Sequence, residues 1–129
     1  MSKNRKPLNR KPLNRKPKNR QQGKRLSDAQ LEAVARRFRT LAVPSRLRIL
    51  DGLMAGPLPM SELADETGLT QSNLSRQVTE LEREGCVERD RRGREVVVRI
   101  ADPSLAQLCE LVCGALQERA ATTQALLGD

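Results

Sequence analysis

Histidine is absent from the 129 residues, as are tryptophan and tyrosine, and Phe38 is the one phenylalanine. Without histidine the chain lacks the commonest metal-binding side chain and the general base that works near neutral pH. With a single aromatic it has no stacking platform for unpaired bases, which argues against a single-stranded nucleic acid as partner. No apolar run approaches the ~20 residues that cross a bilayer, and no hydrophobic segment of signal-peptide type follows the basic start. These absences predict a cytoplasmic chain without membrane contact. Three cysteines, an odd number, make no disulfide framework, so thiols are expected. Neither a G-x-x-x-x-G-K-[ST] loop nor a nucleophile beside a His base occurs, and no enzyme is expected. Aliphatic side chains must build the core.

What is abundant is positive charge, and it is unevenly placed. The net charge is +8, yet residues 1–25 alone hold eleven Lys and Arg and no acid, leaving thirteen bases against sixteen acids in the remainder. All the lysines lie in that first stretch, and the rest of the chain uses only Arg. The stretch is a pentapeptide repeat, NRKPL-NRKPL-NRKPK-NR, in which Pro7, Pro12 and Pro17 recur too often for a continuous helix. Residues 1–25 therefore read as a disordered cationic arm. Such a block suits a polyanion, nucleic acid ahead of an anionic membrane because no apolar face accompanies the charge; a merely solubilising tail is the plainer alternative.

From residue 26 the composition becomes that of a folded domain. Ser27 and Gln30 have the spacing of a capping box, and Leu31, Val34, Ala35 and Phe38 follow on one helical face. Pro44 suits the first position of a second helix, with Leu47, Leu50, Leu53 and Met54 inward and Gly56 as its end. A third helix spans Met60 to Thr67. Gly68 closes it, Leu69 fills the turn, and Thr70 caps a fourth that ends at Gly85. Two helices joined so tightly, with Leu63 and Ala64 in the first and Leu74 and Val78 in the second, read as a helix-turn-helix. Beyond Gly85 the period becomes alternating, with Val87 on one arm and Val96, Val98 and Ile100 on the other, so a β-hairpin is expected with Asp90-Arg91-Arg92-Gly93-Arg94 as its tip. Asp102 and Pro103 then start a last helix carrying Leu105, Leu108, Val112, Ala115 and Leu116 along one side.

These segments, LAVPSRLRIL, SELADETGLTQSNLSRQVTELEREGCV and DRRGREVVVRIADP with the helix after them, resemble the ArsR/SmtB family of bacterial winged-helix repressors from Phe38 to Glu118. The resemblance implies a mainly α winged helix-turn-helix with a β-hairpin wing, in the order ααααββα, over residues 26–129. It implies a homodimer clasped by the first and last helices, bound to an operator and released by an inducer. The apolar faces of both terminal helices agree with pairing, since a lone domain would expose them. The departures concern the inducer. Pro59, Met60 and Ser61 stand where metal-sensing members carry Cys-x-Cys. Ser104 stands where zinc-type members carry His, although Asp102 remains. Val43 replaces the frequent Asp before Pro44, which removes a capping oxygen worth ~1 kcal/mol.

On the fourth helix Leu74, Val78 and Leu81 define an inner face. Ser72, Arg76, Thr79 and Arg83 fall opposite, flanked by Gln71, Asn73, Ser75 and Gln77. Arg pairs bidentately with guanine and Asn or Gln with adenine, so Gln71, Ser72, Asn73, Ser75, Arg76 and Gln77 are candidates for base edges. Thr70 at the capped N-terminus suits phosphate, as do Arg91, Arg92 and Arg94 on the wing. Glu80, Glu82 and Glu84 are confined to the second half, leaving the first two turns free of acids. A solvated polar face is the bland reading, and the motif context favours double-stranded DNA with an inverted-repeat operator.

Cys86 reads as a small core hydrophobe. Cys109 and Cys113 share a face at i, i+4 and have two readings: an inducer site for a thiophilic metal or metalloid ion or a redox signal, or two packed thiols. No cofactor is certain. The rival to an operator-specific repressor is a nonspecific nucleic-acid-binding or nucleoid-associated protein dominated by the arm. Deleting residues 2–25 is expected to leave the preferred DNA site unchanged and to flatten the dependence of log affinity on log salt by ~0.9 for each phosphate the arm neutralises. A salt titration of full-length and truncated chains measures this, and an unchanged slope makes the arm a passenger.

Overall fold

The computed structural model describes residues 25–127, so the expected arm lies outside the described residues except for Arg25. The elements follow the order α1 (Asp28–Leu41), α2 (Pro44–Gly52), β1 (Leu58–Pro59), α3 (Met60–Thr67), α4 (Gln71–Arg83), β2 (Val87–Arg92), β3 (Glu95–Ile100) and α5 (Ser104–Leu127). The expected ααααββα order is present, with one short strand added.

The start of α1 is a reciprocal capping box. The Ser27 amide donates to Gln30 Oε1 at 2.8 Å, and the Gln30 amide donates to Ser27 Oγ at 3.1 Å. Along α1, Leu31, Val34 and Phe38 are exposed. The second helix is shorter than its sequence suggests, because it stops at Gly52 with Leu53 as its cap. Its inner face is Ile49, Leu50 and Leu53, and Leu47 is 41% exposed rather than inward. Ile49 is 0% exposed and takes the place the pattern assigned to Leu47. Two residues of helix rotate a side chain by ~200°, so both cannot face the core. Val43 caps α2 with no side-chain hydrogen bond.

The core joins Ile49 and Leu50 of α2 and its cap Leu53 to Leu63 of α3, Leu74, Val78 and Leu81 of α4, Val87 and Val98 of the sheet, and Leu105 of α5. Cys86 is buried in the same cluster, as expected of a small hydrophobe. One arginine fastens its edge. Arg37 Nη1 donates to Asp102 Oδ2 at 3.0 Å and Nη2 to the Glu84 carbonyl at 3.0 Å, tying α1 and the end of α4 to the start of α5.

The sheet is antiparallel in the order β1-β3-β2. Leu58 and Pro59 pair with Val98 and Val97, an edge position where proline loses no needed donor. Pro59 stands across from Val97, which is buried together with Val98, whereas Val96 is half-buried. The expected strict alternation on this arm is therefore interrupted. The hairpin tip is also tighter than expected. Asp90, Arg91 and Arg92 are strand residues, Arg92 pairs with Glu95, and the turn is Gly93-Arg94 alone, with Gly93 at φ 65°.

The last helix begins on Asp102, whose Oδ1 accepts from the Ser104 amide at 3.0 Å and the Ser104 hydroxyl at 2.7 Å. The Ser104 hydroxyl, its amide and Arg37 hold the Asp102 carboxyl below the usual carboxylate range against the opposing effect of burial. The helix runs for 24 residues in all, with Leu111, Val112 and Leu116 exposed.

Packing should outweigh capping in stability. Leu81→Ala is expected to lower the unfolding free energy by ~2–5 kcal/mol, and Thr70→Ala by ~1 kcal/mol. Asp102→Ala should also cost ~1 kcal/mol at neutral pH. Because the folded carboxyl is held low, that contribution is complete above the ordinary carboxylate range and is lost only as the pH falls below that range through the lowered folded value. Urea titrations at neutral pH and at successively lower pH test both statements: equal losses for Leu81→Ala and Thr70→Ala, or an Asp102→Ala cost that does not shrink as the pH falls below the carboxylate range, would contradict them.

Candidate nucleic-acid interface

The turn between α3 and α4 is fixed by local chemistry. Gly68 takes a left-handed conformation, φ 74°, and its amide donates to the Ala64 carbonyl at 2.9 Å. The Thr67 hydroxyl donates to the Leu63 carbonyl at 2.8 Å and accepts from the Leu69 amide at 3.3 Å. Thr70 then caps α4, its hydroxyl accepting from the Asn73 amide at 3.2 Å. The inner face of α4 is Leu74, Val78 and Leu81, all three fully buried, as the sequence indicated.

That burial leaves Gln71, Ser72, Ser75 and Arg76 exposed on the first two turns, with Asn73 and Gln77 half-buried beside them. Several of these side chains form a connected row. Arg76 Nη2 and Gln77 Nε2 both donate to Asn73 Oδ1, at 3.2 Å and 3.3 Å, and Gln77 Oε1 accepts from Arg46 Nε at 2.9 Å. Arg46 also donates through Nη1 to the Thr40 carbonyl at 3.2 Å. Gln77 is thus engaged in holding Arg46. A guanidinium has five N–H donors, and Arg76 uses one of them among the described residues.

The second half of α4 and its cap carry acids, and each of the three is covered by an arginine. Glu80 pairs with Arg83 at 2.6 Å, Glu82 with Arg89 at 2.8 Å, and Glu84 with Arg36 at 2.8 Å. The Arg36 fork is bidentate, and its hydrogen bond is the main reason the Glu84 carboxyl sits below its ordinary range. Arg89 Nη2 also reaches the Thr79 hydroxyl at 3.2 Å, so β2 is stitched to α4 by a side chain that pattern reading did not single out. The same holds for Arg36, Arg37 and Arg46. Their roles depend on partners 31 to 65 residues away in sequence, and no local period announces them.

On the wing, Arg91, Arg92 and Arg94 are exposed. Arg92 lies 3.5 Å from Asp90, while Arg91 and Arg94 have no carboxylate partner among the described residues. Arg99 also pairs with Asp90 at 3.6 Å and with Glu88.

The remaining candidate residues lie elsewhere. Cys109 is half-buried and Cys113 exposed, and both line a groove of about 680 Å³ with Phe38, Leu41, Leu47, Met54, Val112 and Leu116. Burial pushes the Cys109 thiol up, helped by the negative charge of Asp51 nearby, and burial pushes Cys86 up as well. Among the described residues no three His, Cys, Asp or Glu side chains come together as a metal site. No helix among them is long and apolar enough to cross a membrane.

Known proteins share this fold. The sequence model of the MarR family matches residues 43–95, the stretch from the start of α2 to the start of β3. The HTH-type transcriptional regulator NmtR of Mycobacterium tuberculosis is 44% identical over 84 residues, which make up 64% of this chain and 70% of the relative. Among solved structures, a homodimeric winged helix-turn-helix DNA-binding domain from Mycobacterium bovis, described as a possible ArsR-family regulator, is 35% identical with a TM-score of 0.66. The match covers 74% of this chain and 91% of that one. The antimony-specific transcriptional repressor AntR is 27% identical with a TM-score of 0.72, covering 82% of this chain and 96% of its own. With the fold, the tightly joined and capped fourth helix and these similarities together, the chain belongs to the winged helix-turn-helix transcriptional regulators.

Proposed function

We propose that the chain is a repressor of the ArsR/SmtB type, acting as a homodimer in the cytoplasm on an inverted-repeat operator in double-stranded DNA. The observation that carries this reading is the charge layout of α4. Its first two turns have no acid and expose Gln71, Ser72, Ser75 and Arg76, while every acid of its second half is covered by an arginine. A helix so arranged presents donors and acceptors to base edges with little repulsion from phosphate. Arg76 reads a base, supported by Asn73 and Gln77. Thr70, Arg91, Arg92 and Arg94 hold the backbone, which positions the helix without conveying sequence.

Pairing of two copies is supported by the apolar faces left open on α1, at Leu31, Val34 and Phe38, and on α5, at Leu111, Val112 and Leu116. The homodimeric state of the M. bovis domain supports it as well. Cys109 and Cys113 are the inducer site in this reading, answering to a thiophilic metal or metalloid. The antimony specificity of AntR supports that class of signal.

The test is competition binding between random DNA and an inverted repeat located by footprinting the protein's own promoter region. A preference of ~10³ or more identifies a repressor, whereas a nonspecific nucleic-acid-binding protein shows little ratio at matched salt. Arg76→Ala should cost ~1–3 kcal/mol on the operator and much less on random DNA. Arg91→Ala and Arg94→Ala should weaken both alike and reduce the salt slope by ~1 each. Equal losses from Arg76→Ala on the two DNAs would assign that side chain to the backbone instead.

A further inference from the structure

The polar row along α4 begins on another helix. Arg46, half-buried on α2, has two hydrogen-bond acceptors among the described residues, and both are neutral: the Thr40 carbonyl at 3.2 Å and Gln77 Oε1 at 2.9 Å. A guanidinium only donates, so the Gln77 amide must turn its oxygen to Arg46 and its nitrogen away. That nitrogen donates to Asn73 Oδ1 at 3.3 Å, and Arg76, which also can only donate, reaches the same oxygen at 3.2 Å. An arginine therefore stands at each end of the relay. Flipping either amide would set donor against donor.

The consequence falls on Asn73. Its Oδ1 has two lone pairs and both are engaged within the protein, which leaves Nδ2, with two N–H donors, as the part it can offer to a groove. An unconstrained asparagine reads adenine by accepting from N6 and donating to N7. Asn73 has lost the accepting half of that pair.

We propose that Arg46 sets the base preference of α4 from outside the groove: by holding Gln77 it makes Asn73 a donor-only side chain, which reads the O6 and N7 acceptors of guanine in place of adenine. This rests on the reading of α4 as the helix that meets base edges, and it adds Arg46 as a positioning residue that acts through Gln77 and Asn73. Guanine presents two acceptors in the major groove, and the remaining N–H groups of Arg76 suit the same base. Adenine at the position facing Asn73 turns the N6 amino group, a donor, towards a side chain with no acceptor to meet it.

The experiment titrates the full-length chain on the footprinted operator, with each half-site base pair replaced in turn by the other three, at matched salt. Asn73→Ala identifies the base pair that Asn73 faces, as the position whose preference it flattens. There the unaltered chain should favour guanine over adenine by at least about tenfold, as a matched base contact does. Arg46→Met should cut that ratio to about threefold or less, because Gln77 is then free to turn and Asn73 to follow. Arg46→Lys still donates to Gln77 and should keep most of the ratio. Gln77→Met breaks the relay one bond further on with Arg46 still held by Thr40; it should act as Arg46→Met does, and it decides the matter if Arg46→Met does not fold. An Arg46 that only supports the fold would lower affinity for all four bases alike and leave the ratio unchanged, and that result would overturn the proposal. So would a preference for adenine in the unaltered chain, or an Asn73→Ala chain that flattens no position. A chain that does not prefer its footprinted site to random DNA removes the repressor reading and this preference with it, whereas adenine opposite Asn73 in an otherwise preferred operator removes only the role of Arg46.

Discussion

Burial of one stripe of α4 governs what the rest of the molecule can present. Leu74, Val78 and Leu81 lock against α2, α3 and the sheet, each with no exposed surface. Burying a side chain of this size contributes ~1.5–3 kcal/mol, more than the Thr70 cap or any exposed ion pair on the same helix. The rotation of α4 about its axis is therefore set from inside by packing. Which polar residues meet a partner is a consequence of that rotation, because a helix has only one opposite face.

Much of this was readable without coordinates. The α3 boundaries, the Gly68 turn, the Thr70 cap, the Ser27–Gln30 box and the inner face of α4 all follow from residues close to one another in the chain, where local sterics and hydrogen bonds decide. What escaped has a common physical origin in distance along the chain. The strand at Leu58 and Pro59 is two residues long and exists only because β3 offers an edge. Leu47 is as apolar as Ile49, and a short helix leaves the period alone unable to choose between them. The row at the candidate interface was legible as residue types, whereas the engagement of Gln77 by Arg46 was not, since its partner lies on another helix.

The division of labour between lysine and arginine has a structural counterpart. Beyond residue 25 the chain uses only Arg, and several of these side chains make directed contacts at two or more atoms: Arg36 on Glu84, Arg37 on Asp102 and the Glu84 carbonyl, Arg46 on Gln77 and the Thr40 carbonyl, Arg89 on Glu82 and Thr79. A planar fork can satisfy two acceptors at once, which an ammonium does with less directional control. The sixteen acids of this region thus do not make it a uniform negative field. Those of α4 are locally neutralised, and the helix's first turns remain open to an anion.

The hairpin is anchored unevenly. Its base is the middle of a three-stranded sheet, since β1 pairs with Val97 and Val98, but the rungs at Arg91–Val96 and Arg92–Glu95 have no third strand beside them. Two-stranded ribbons are marginal in water, so this end of the sheet belongs to the low-stability end of the structure and opens at little cost. Arg91, Arg92 and Arg94 ride on it. In the proposed function their grip on a phosphate backbone would carry an entropic cost, and the ribbon could follow variations in groove width that a rigid element would register as a clash.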